Sequence, residues 1–290
     1  MPQLNGRDAA HAIENRGMSQ QRFSVNPEIL RYYETTQEAE RLNTPFFRWE
    51  RMRTLDLLTR FLPHAPWHIL DVGGAAGAYA YPLAEMGDIV DLFDPVALHI
   101  EQAKQRANLA RHAPRTFQVA DARQIPVDDG VADAVLLFGP LYHLTEAEDR
   151  LKAISEARRA LRARGVLLAV AISRFASALD GIARGLIRDP DFVRIVEQDL
   201  KTGEHRNETD NTDYFTSAFF HHPDEFRMEL IKGGFPAPRL RAIEGPHWTV
   251  PELTTVEEQE KLMAIARSLE DEITRIGASA HIMGIATKPN

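Results

Sequence analysis

Glycines follow directly after a short apolar run near residue 70, in a pattern typical of a ligand-binding turn. Residues 69–72 are mostly apolar, and residues 71–77 read DVGGAAG. Gly73 permits a tight turn and lets a ligand approach the backbone. The last glycine comes one residue early for the dinucleotide pattern G-x-G-x-x-G, and no phosphate-loop Gly-Lys-Ser/Thr follows. The segment indicates either a ligand site that is not of the dinucleotide type or an ordinary strand-to-helix turn.

Two acidic residues lie where further strands are expected to end. Asp94 follows the apolar residues 89–93, and Asp121-Ala122 follows residues 116–120. Ligands of open parallel sheets bind beyond the carboxyl ends of the strands, where a carboxylate at the position of Asp94 accepts hydrogen bonds from ribose hydroxyls. Asp121 could accept from the exocyclic amine of adenine while the Ala122 amide donates to a ring nitrogen. The alternative for each aspartate is a helix cap alone.

Short apolar runs alternate with helical patterns from residue 67 onward. Near-continuous apolar strands in such an alternation predict a parallel sheet with helices on both faces. Strands are predicted at residues 67–72, 89–93, 116–120, 132–138, 166–172, 239–244 and 281–286. We therefore predict an α/β, Rossmann-like, doubly wound and mostly parallel seven-stranded sheet.

The remaining segments are arranged around that sheet. Residues 1–44 are predicted to form an N-terminal arm and a helical lid, and residues 45–174 the cofactor-binding core. Residues 175–222 break the alternation and predict a helical substrate-cap insertion after the fifth strand, while 223–290 complete the core. The unpatterned arm, residues 1–25, could wrap a neighbouring subunit, so a homo-oligomer is a further hypothesis. Thr145 and Glu148 have the spacing of a capping box at a helix start.

Composition narrows the function classes. The 290 residues carry a formal net charge of −8 and no cysteine. An acidic chain is a poor partner for nucleic acid or anionic membranes. Without cysteine there is no thiolate catalysis and no zinc–sulfur site. We see no signal peptide and no apolar run of roughly 20 residues, so we expect a cytoplasmic protein. The His, Asp and Glu residues are not spaced like a set of metal ligands, so we expect no metal.

Four successive motifs together resemble those of the class I S-adenosylmethionine-dependent methyltransferases. They are DVGGAAG at 71–77, Asp94, Asp121-Ala122, and LFGPLYHL at 137–144. The resemblance is strongest to the small-molecule branch, which includes ubiquinone/menaquinone-type and natural-product enzymes. It implies S-adenosylmethionine as cofactor, and the cofactor-binding residues that it implies are Asp71, Gly73, Gly74, Ala75, Gly77, Asp94, Asp121, Ala122 and Phe138.

Two features refine this resemblance. The family usually has glycine where this chain has Ala75, which could lower cofactor affinity or shift the turn. DNA-adenine methyltransferases carry Asp/Asn/Ser-Pro-Pro-aromatic after the fourth strand, whereas residues 139–142 here are GPLY. That amine acceptor is missing, and the covalent cytosine route needs a cysteine. The expected partner is therefore a small molecule.

Candidate catalytic residues follow the fourth strand and lie in the N-terminal lid. His143 is the first choice for a general base or substrate-orienting group, because imidazole titrates near neutral pH. The alternative is a structural histidine. Tyr33 is a second catalytic candidate, and Tyr32 would present an aromatic face to the cationic cofactor. Arg41 could pair with the methionine carboxylate.

Aromatic and histidine side chains in the second half of the chain are candidates for the substrate pocket. Simple packing is the alternative, favoured for the phenylalanines. The predicted substrate-binding residues are Tyr142, Tyr214, Phe219, His221, His222 and Trp248.

The sequence thus predicts methyl transfer to O, N or C of a small, aromatic or apolar metabolite, with bacterial secondary metabolism as a reasonable setting. Two alternatives stay open. One is a nicotinamide-dependent oxidoreductase on a similar sheet. The other is a cofactor-binding regulator without catalysis, which stays open because Ala75 departs from the glycine usual in the family.

Overall fold

The computed structural model describes residues 26–35, 45–62, 66–209, 211–245 and 255–290. Within these ranges the main sheet has seven strands in the order β3-β2-β1-β4-β5-β9-β8, and a separate two-stranded ribbon joins β6 and β7. The strands are β1 (His68–Val72), β2 (Ile89–Asp94), β3 (Thr116–Val119), β4 (Ala132–Phe138), β5 (Leu161–Ile172), β6 (Glu204–His205), β7 (Ala218–Phe219), β8 (Arg239–Ala242) and β9 (His281–Thr287). All neighbours in the main sheet are parallel except β9, which is antiparallel to β5 and β8. The predicted fold class is confirmed.

Helices cover both faces of this sheet. They are α1 (Pro27–Thr35), α2 (Pro45–Phe61), α3 (Ala80–Glu85), α4 (Ala97–Ala107), α5 (Pro140–His143), α6 (Ala147–Ala160), α7 (Ala176–Arg184), α8 (Pro190–Thr202), α9 (Pro223–Lys232), α10 (Val256–Leu269) and α11 (Ile273–Ile276). Alternate strand residues point to opposite faces. Leu70 and Val135 join one buried cluster with α6 and α9. Ile69 and Ala134 join a second with α2, α3 and α4.

A buried arginine fixes α2 against the far edge of the sheet. Arg53 is 0% exposed and donates to the carbonyl of Ile243 at 2.8 Å. Its guanidinium also bonds Asp56 at 2.7 Å and Glu270 at 2.8 Å. A buried charge needs such partners to offset its lost hydration. The cluster therefore sets the orientation of the α2 side chains that face the sheet's carboxyl edge.

Local predictions were less accurate at helix ends. The predicted capping box is wrong, because Glu146 rather than Thr145 caps α6 and no side chain supplies the cap. Likewise, Val96 caps α4, and Asp94 accepts the Val96 amide at 2.9 Å from just outside the helix. Strand β5 begins at Leu161, five residues before the predicted 166, since α6 ends at Ala160. None of the described helices combines the length and apolar composition that crossing a bilayer requires.

Candidate active site

A cavity of about 480 Å³ opens at the carboxyl ends of β1, β2 and β4. Three of the turns singled out in the sequence reach it: the glycine turn after β1, Asp94 at the end of β2, and Asp121-Ala122 after β3. The end of β4 and the segment after it contribute Phe138, Gly139, Pro140, Tyr142, His143 and Leu144. Parallel strands thus bring together motifs that are tens of residues apart in the chain, as expected for this class of sheet.

The glycine turn is closely packed against neighbouring side chains. Gly73 has φ +79°, and a Cβ there would lie 2.6 Å from Pro140. A Cβ on Gly74 would lie 2.5 Å from the Asp71 carboxylate. Ala75 has φ +47°, a left-handed conformation that suits glycine better than alanine. The departure from the family pattern therefore occurs at a position where the backbone favours glycine.

Asp71 lies beneath this turn and does not line the cavity. The side chain is fully buried. Burial and the nearby Asp94 charge raise the pKa of Asp71 to about 7, and the Ala80 amide offsets only part of that rise. Its position makes Asp71 a support for the loop. Gly77, with φ +82°, also lies outside the cavity lining, against the Tyr81 ring.

Asp94 joins the first two strands of the site. One carboxylate oxygen accepts the Ala75 amide at 2.9 Å, and the other accepts the Val96 amide at 2.9 Å and His99 Nδ1 at 3.0 Å. A carboxylate has about four acceptor positions. The three bonds leave acceptor capacity on the oxygen that holds Ala75, where a ribose hydroxyl could donate.

Asp121 is held by an arginine that sequence reasoning did not single out. Arg123 donates to both Asp121 oxygens, at 2.9 and 2.7 Å, and also to Asp149 at 2.6 Å. These carboxylates raise the pKa of Arg123. Ala122 is 6% exposed in the cavity wall. The ion pair fixes the Asp121 carboxylate beside the Ala122 amide.

Helix α1 contacts the segment after β4. Tyr33 Oη and His143 Nε2 are 2.5 Å apart, and their rings meet edge to face at 5.3 Å. Tyr33 also packs on His99. Glu28 on α1 accepts from Ser217 Oγ at 2.6 Å, which ties α1 to the segment between β5 and α9. The two predicted catalytic candidates are therefore adjacent.

A second cavity, of about 200 Å³, adjoins the first, and we call it the inner cavity. Tyr33, Glu50, Tyr142 and His281 line both cavities. Tyr32, predicted to contact the cofactor, lines only the inner cavity, as does Tyr214, whose hydroxyl donates to Asp189 at 2.7 Å.

Three of the predicted substrate residues lie away from both cavities. His221 is 0% exposed and bonds Glu229 at 3.1 Å, while Phe219 packs between His221 and the Arg150 guanidinium. Burial lowers the pKa of His221, whereas its bond and that of Arg150 lower the pKa of Glu229 to about 2 despite burial. His222 caps α9. In this structure these residues support the fold, and Arg41 and Trp248 lie outside the described residues.

Several cavity residues were missed by the sequence reasoning. Glu50 and Thr54 face the first cavity, which we call the cofactor cavity, one turn apart on α2, and His99 follows Asp94 by five positions. Glu244 and His281 come from the ends of β8 and β9. The helical spacing of Glu50 and Thr54 was a usable signal, but the last pair carries none in the linear sequence.

Comparison with known proteins agrees with this geometry. A family model described as a methyltransferase domain matches residues 69–165. Over 96 residues the chain is 36% identical to malonyl-[acyl-carrier protein] O-methyltransferase of Geobacter sulfurreducens, covering 33% of this chain and 35% of that protein. It is 30% identical over 110 residues to ubiquinone/menaquinone biosynthesis C-methyltransferase of Zymomonas mobilis, covering 38% and 44%. The matched segments span less than half of these relatives.

Solved structures share the fold at low sequence identity. An S-adenosylmethionine-dependent methyltransferase from Methanosarcina mazei superposes with a TM-score of 0.54 at 17% identity, covering 80% of this chain and 97% of its own. Magnesium protoporphyrin IX methyltransferase from Synechocystis, solved with S-adenosylmethionine bound, gives 0.53 at 14% identity, covering 90% and 95%.

Proposed function

We propose that the chain is a class I S-adenosylmethionine-dependent methyltransferase and that it methylates O, N or C of a small, aromatic or apolar metabolite. A bacterial secondary-metabolite pathway is the proposed setting. The observation that carries the proposal is the convergence of the glycine turn, Asp94 and Asp121-Ala122 on one cavity wall, with an aromatic cavity adjoining it.

The residues present fit the cofactor of this family, S-adenosylmethionine. The glycine turn would lie along the methionine part, since residues 73–76 line the cavity. Asp94 would accept from the ribose, and Asp121 and Ala122 would meet adenine. Phe138, 8% exposed and packed edge to face on Tyr79, would lie beside it. The bound cofactor supplies a methyl group already activated by its sulfonium charge.

The chain's own residues then need to align an acceptor and handle a proton. We assign proton acceptance or acceptor orientation to His143, with Tyr33 holding the imidazole through their 2.5 Å contact. Alignment alone can contribute several kcal/mol to the barrier reduction. Helix α1, held by the Glu28–Ser217 bond, would exclude water above the site.

The inner cavity is the proposed acceptor site. Tyr142 stands at its junction with the cofactor cavity, and Tyr214 lines its far part. Aromatic walls suit a flat or apolar acceptor, because burying such surface contributes about 25 cal/mol per Å². The helical insertion that carries Tyr214 would cap the acceptor.

Methyl-labelled S-adenosylmethionine incubated with the protein and a panel of small phenols, amines and enolisable carbonyls tests the proposal. We expect label in at least one acceptor and formation of S-adenosylhomocysteine. Tight cofactor binding without methyl transfer to any acceptor in the panel would support a cofactor-binding regulator without catalysis instead. Preferential binding of a nicotinamide dinucleotide would support an oxidoreductase.

A further inference from the structure

The inner cavity carries an excess of negative charge. Among the described residues that line it, Glu50, Asp180, Asp213 and Glu244 supply four carboxylates, and Arg184 supplies a guanidinium. Arg184 lies 3.0 Å from Asp180 and 3.8 Å from Asp213, on the side of the insertion. The other two carboxylates lie beside His281. Asp213 is largely exposed, whereas Glu50 and Glu244 are buried, and buried negative charge favours a cationic ligand.

Glu244 and His281 form a firmly oriented pair at the passage to the cofactor cavity. Glu244 is 3% exposed, and its oxygens accept from Ser279 Oγ at 2.7 Å and from the His281 amide at 2.9 Å. His281 Nδ1 donates to the same carboxylate at 2.5 Å. With the proton on Nδ1, the basic nitrogen of the ring is Nε2. Potential ligand atoms of Glu50, Glu244 and His281 all lie within 4.8 Å of one another.

Aromatic rings complete the surroundings of these carboxylates. Ring faces attract cations, and the combination of aromatic walls with carboxylates is how proteins recognise ammonium groups. The aromatic residues that line the inner cavity are Tyr32, Tyr33, Phe47, Tyr142, Phe192, Tyr214, Phe215 and Phe220. Tyr33 and Tyr142 line both cavities together with Glu50 and His281, so a cation held there would lie next to the donor site.

We propose that the acceptor is an amine, bound as its ammonium form between these rings and the cluster of Glu50, Glu244 and His281. This inference rests on the proposed function and narrows it to N-methylation. The cluster holds the ammonium, which gives one proton to His143, the base assigned above. The nitrogen lone pair then forms a bond to the methyl carbon while the carbon–sulfur bond breaks and its electron pair stays on sulfur. The products are a methylated ammonium and S-adenosylhomocysteine.

Matched fragments of the same size and ring test the charge preference. Calorimetry on the protein saturated with S-adenosylhomocysteine should show benzylamine binding at least about tenfold more tightly than benzyl alcohol, with phenylacetate not binding. Glu50→Gln and Glu244→Gln should each remove most of that preference. Glu101→Gln, at an exposed carboxylate on α4, is the matched control and should keep it.

Other outcomes of these titrations would overturn the amine proposal or reassign the cluster. Equal binding of amine and alcohol, no binding of amine, or an unchanged preference in Glu50→Gln overturns the inference. Should Glu244→Gln fail to fold, Glu50→Gln alone decides. Uptake of Mn²⁺ that requires Glu50 and His281, with no amine preference, would make the cluster a metal site instead. If S-adenosylhomocysteine itself does not bind, the proposed function fails first.

Discussion

Tyr33 Oη lies 2.5 Å from His143 Nε2, although the two residues are 110 positions apart in the chain. The contact joins helix α1 to the segment that follows β4. It also brings an aromatic hydroxyl and an imidazole to the wall of the cofactor cavity. If His143 handles a proton, Tyr33 is the residue that positions it.

Removing either member of this pair should slow methyl transfer. We expect His143→Ala to lower kcat about 100-fold, the lower end of what general-base catalysis contributes, and Tyr33→Phe to lower it about tenfold, because the imidazole loses its positioning partner. The double variant should be little worse than His143→Ala, since coupled residues are not additive. Steady-state kinetics with the acceptor found in the panel measures these effects.

His112→Ala, at an exposed histidine, is the control and should retain wild-type turnover. Full activity of His143→Ala across the pH range would remove the base assignment and leave His143 a structural role.

The backbone of Ala75 predicts an unusual response to glycine. Its φ of +47° costs alanine about 1–2 kcal/mol, so Ala75→Gly relieves strain that offsets the added entropy of the unfolded chain. The neighbouring Ala76→Gly has no such relief and should lower stability by roughly 0.5–1 kcal/mol. Urea unfolding of the two variants makes the comparison. A larger loss for Ala75→Gly than for Ala76→Gly would contradict it.

Asp94 should control cofactor affinity. Asp94→Asn removes the charge that would accept from ribose hydroxyls, and we expect the Kd for S-adenosylhomocysteine to rise about 10- to 100-fold. Isothermal calorimetry measures the change, and Asp128→Asn, at an exposed loop position, should leave the Kd unchanged. Equal affinities in Asp94→Asn and wild type would leave Asp94 as a support for the Ala75 loop only.

Asp71 predicts a pH-dependent loss of stability. Its pKa is raised from 3.8 to about 7 in the folded state, so the folded protein holds a proton that the unfolded chain releases. The contribution is therefore greatest below about pH 4 and is lost as pH rises to about 7, a change of up to about 4 kcal/mol. The asparagine side chain of the Asp71→Asn variant cannot ionise, so this variant lacks the pH-dependent contribution of Asp71 to the free energy of unfolding.

The measurement is the free energy of unfolding of both proteins from pH 5 to 8, without cofactor. The advantage of wild type over Asp71→Asn should shrink as pH rises. A constant difference would show that Asp71 is already ionised in the folded protein at pH 5.

The sequence predicted the sheet and three of the turns at its edge because that information is local. Buried strands read as apolar runs, and Asp94 ends one of them, whereas Asp121 follows β3, a mostly exposed edge strand. It did not predict that Arg123 would bond both Asp121 oxygens, since a long arginine side chain two positions after an aspartate can adopt many other conformations.

Long-range contacts were beyond sequence reasoning. Glu50, Glu244 and His281 meet only after α2, β8 and β9 are assembled, and nothing in their spacing records it. The stretch around His221 reads as a pocket wall because it is aromatic, yet the fold turns it toward Arg150 and Glu229. A two-residue strand such as β7 is too short for an alternation of apolar and polar residues to show which face is buried.

The most direct test of the account is a pair of calorimetric titrations of the purified chain, with S-adenosylhomocysteine and with NAD⁺. We expect one molecule of S-adenosylhomocysteine to bind per chain and the dinucleotide to give no heat. Binding of NAD⁺ with no uptake of S-adenosylhomocysteine or S-adenosylmethionine would contradict it.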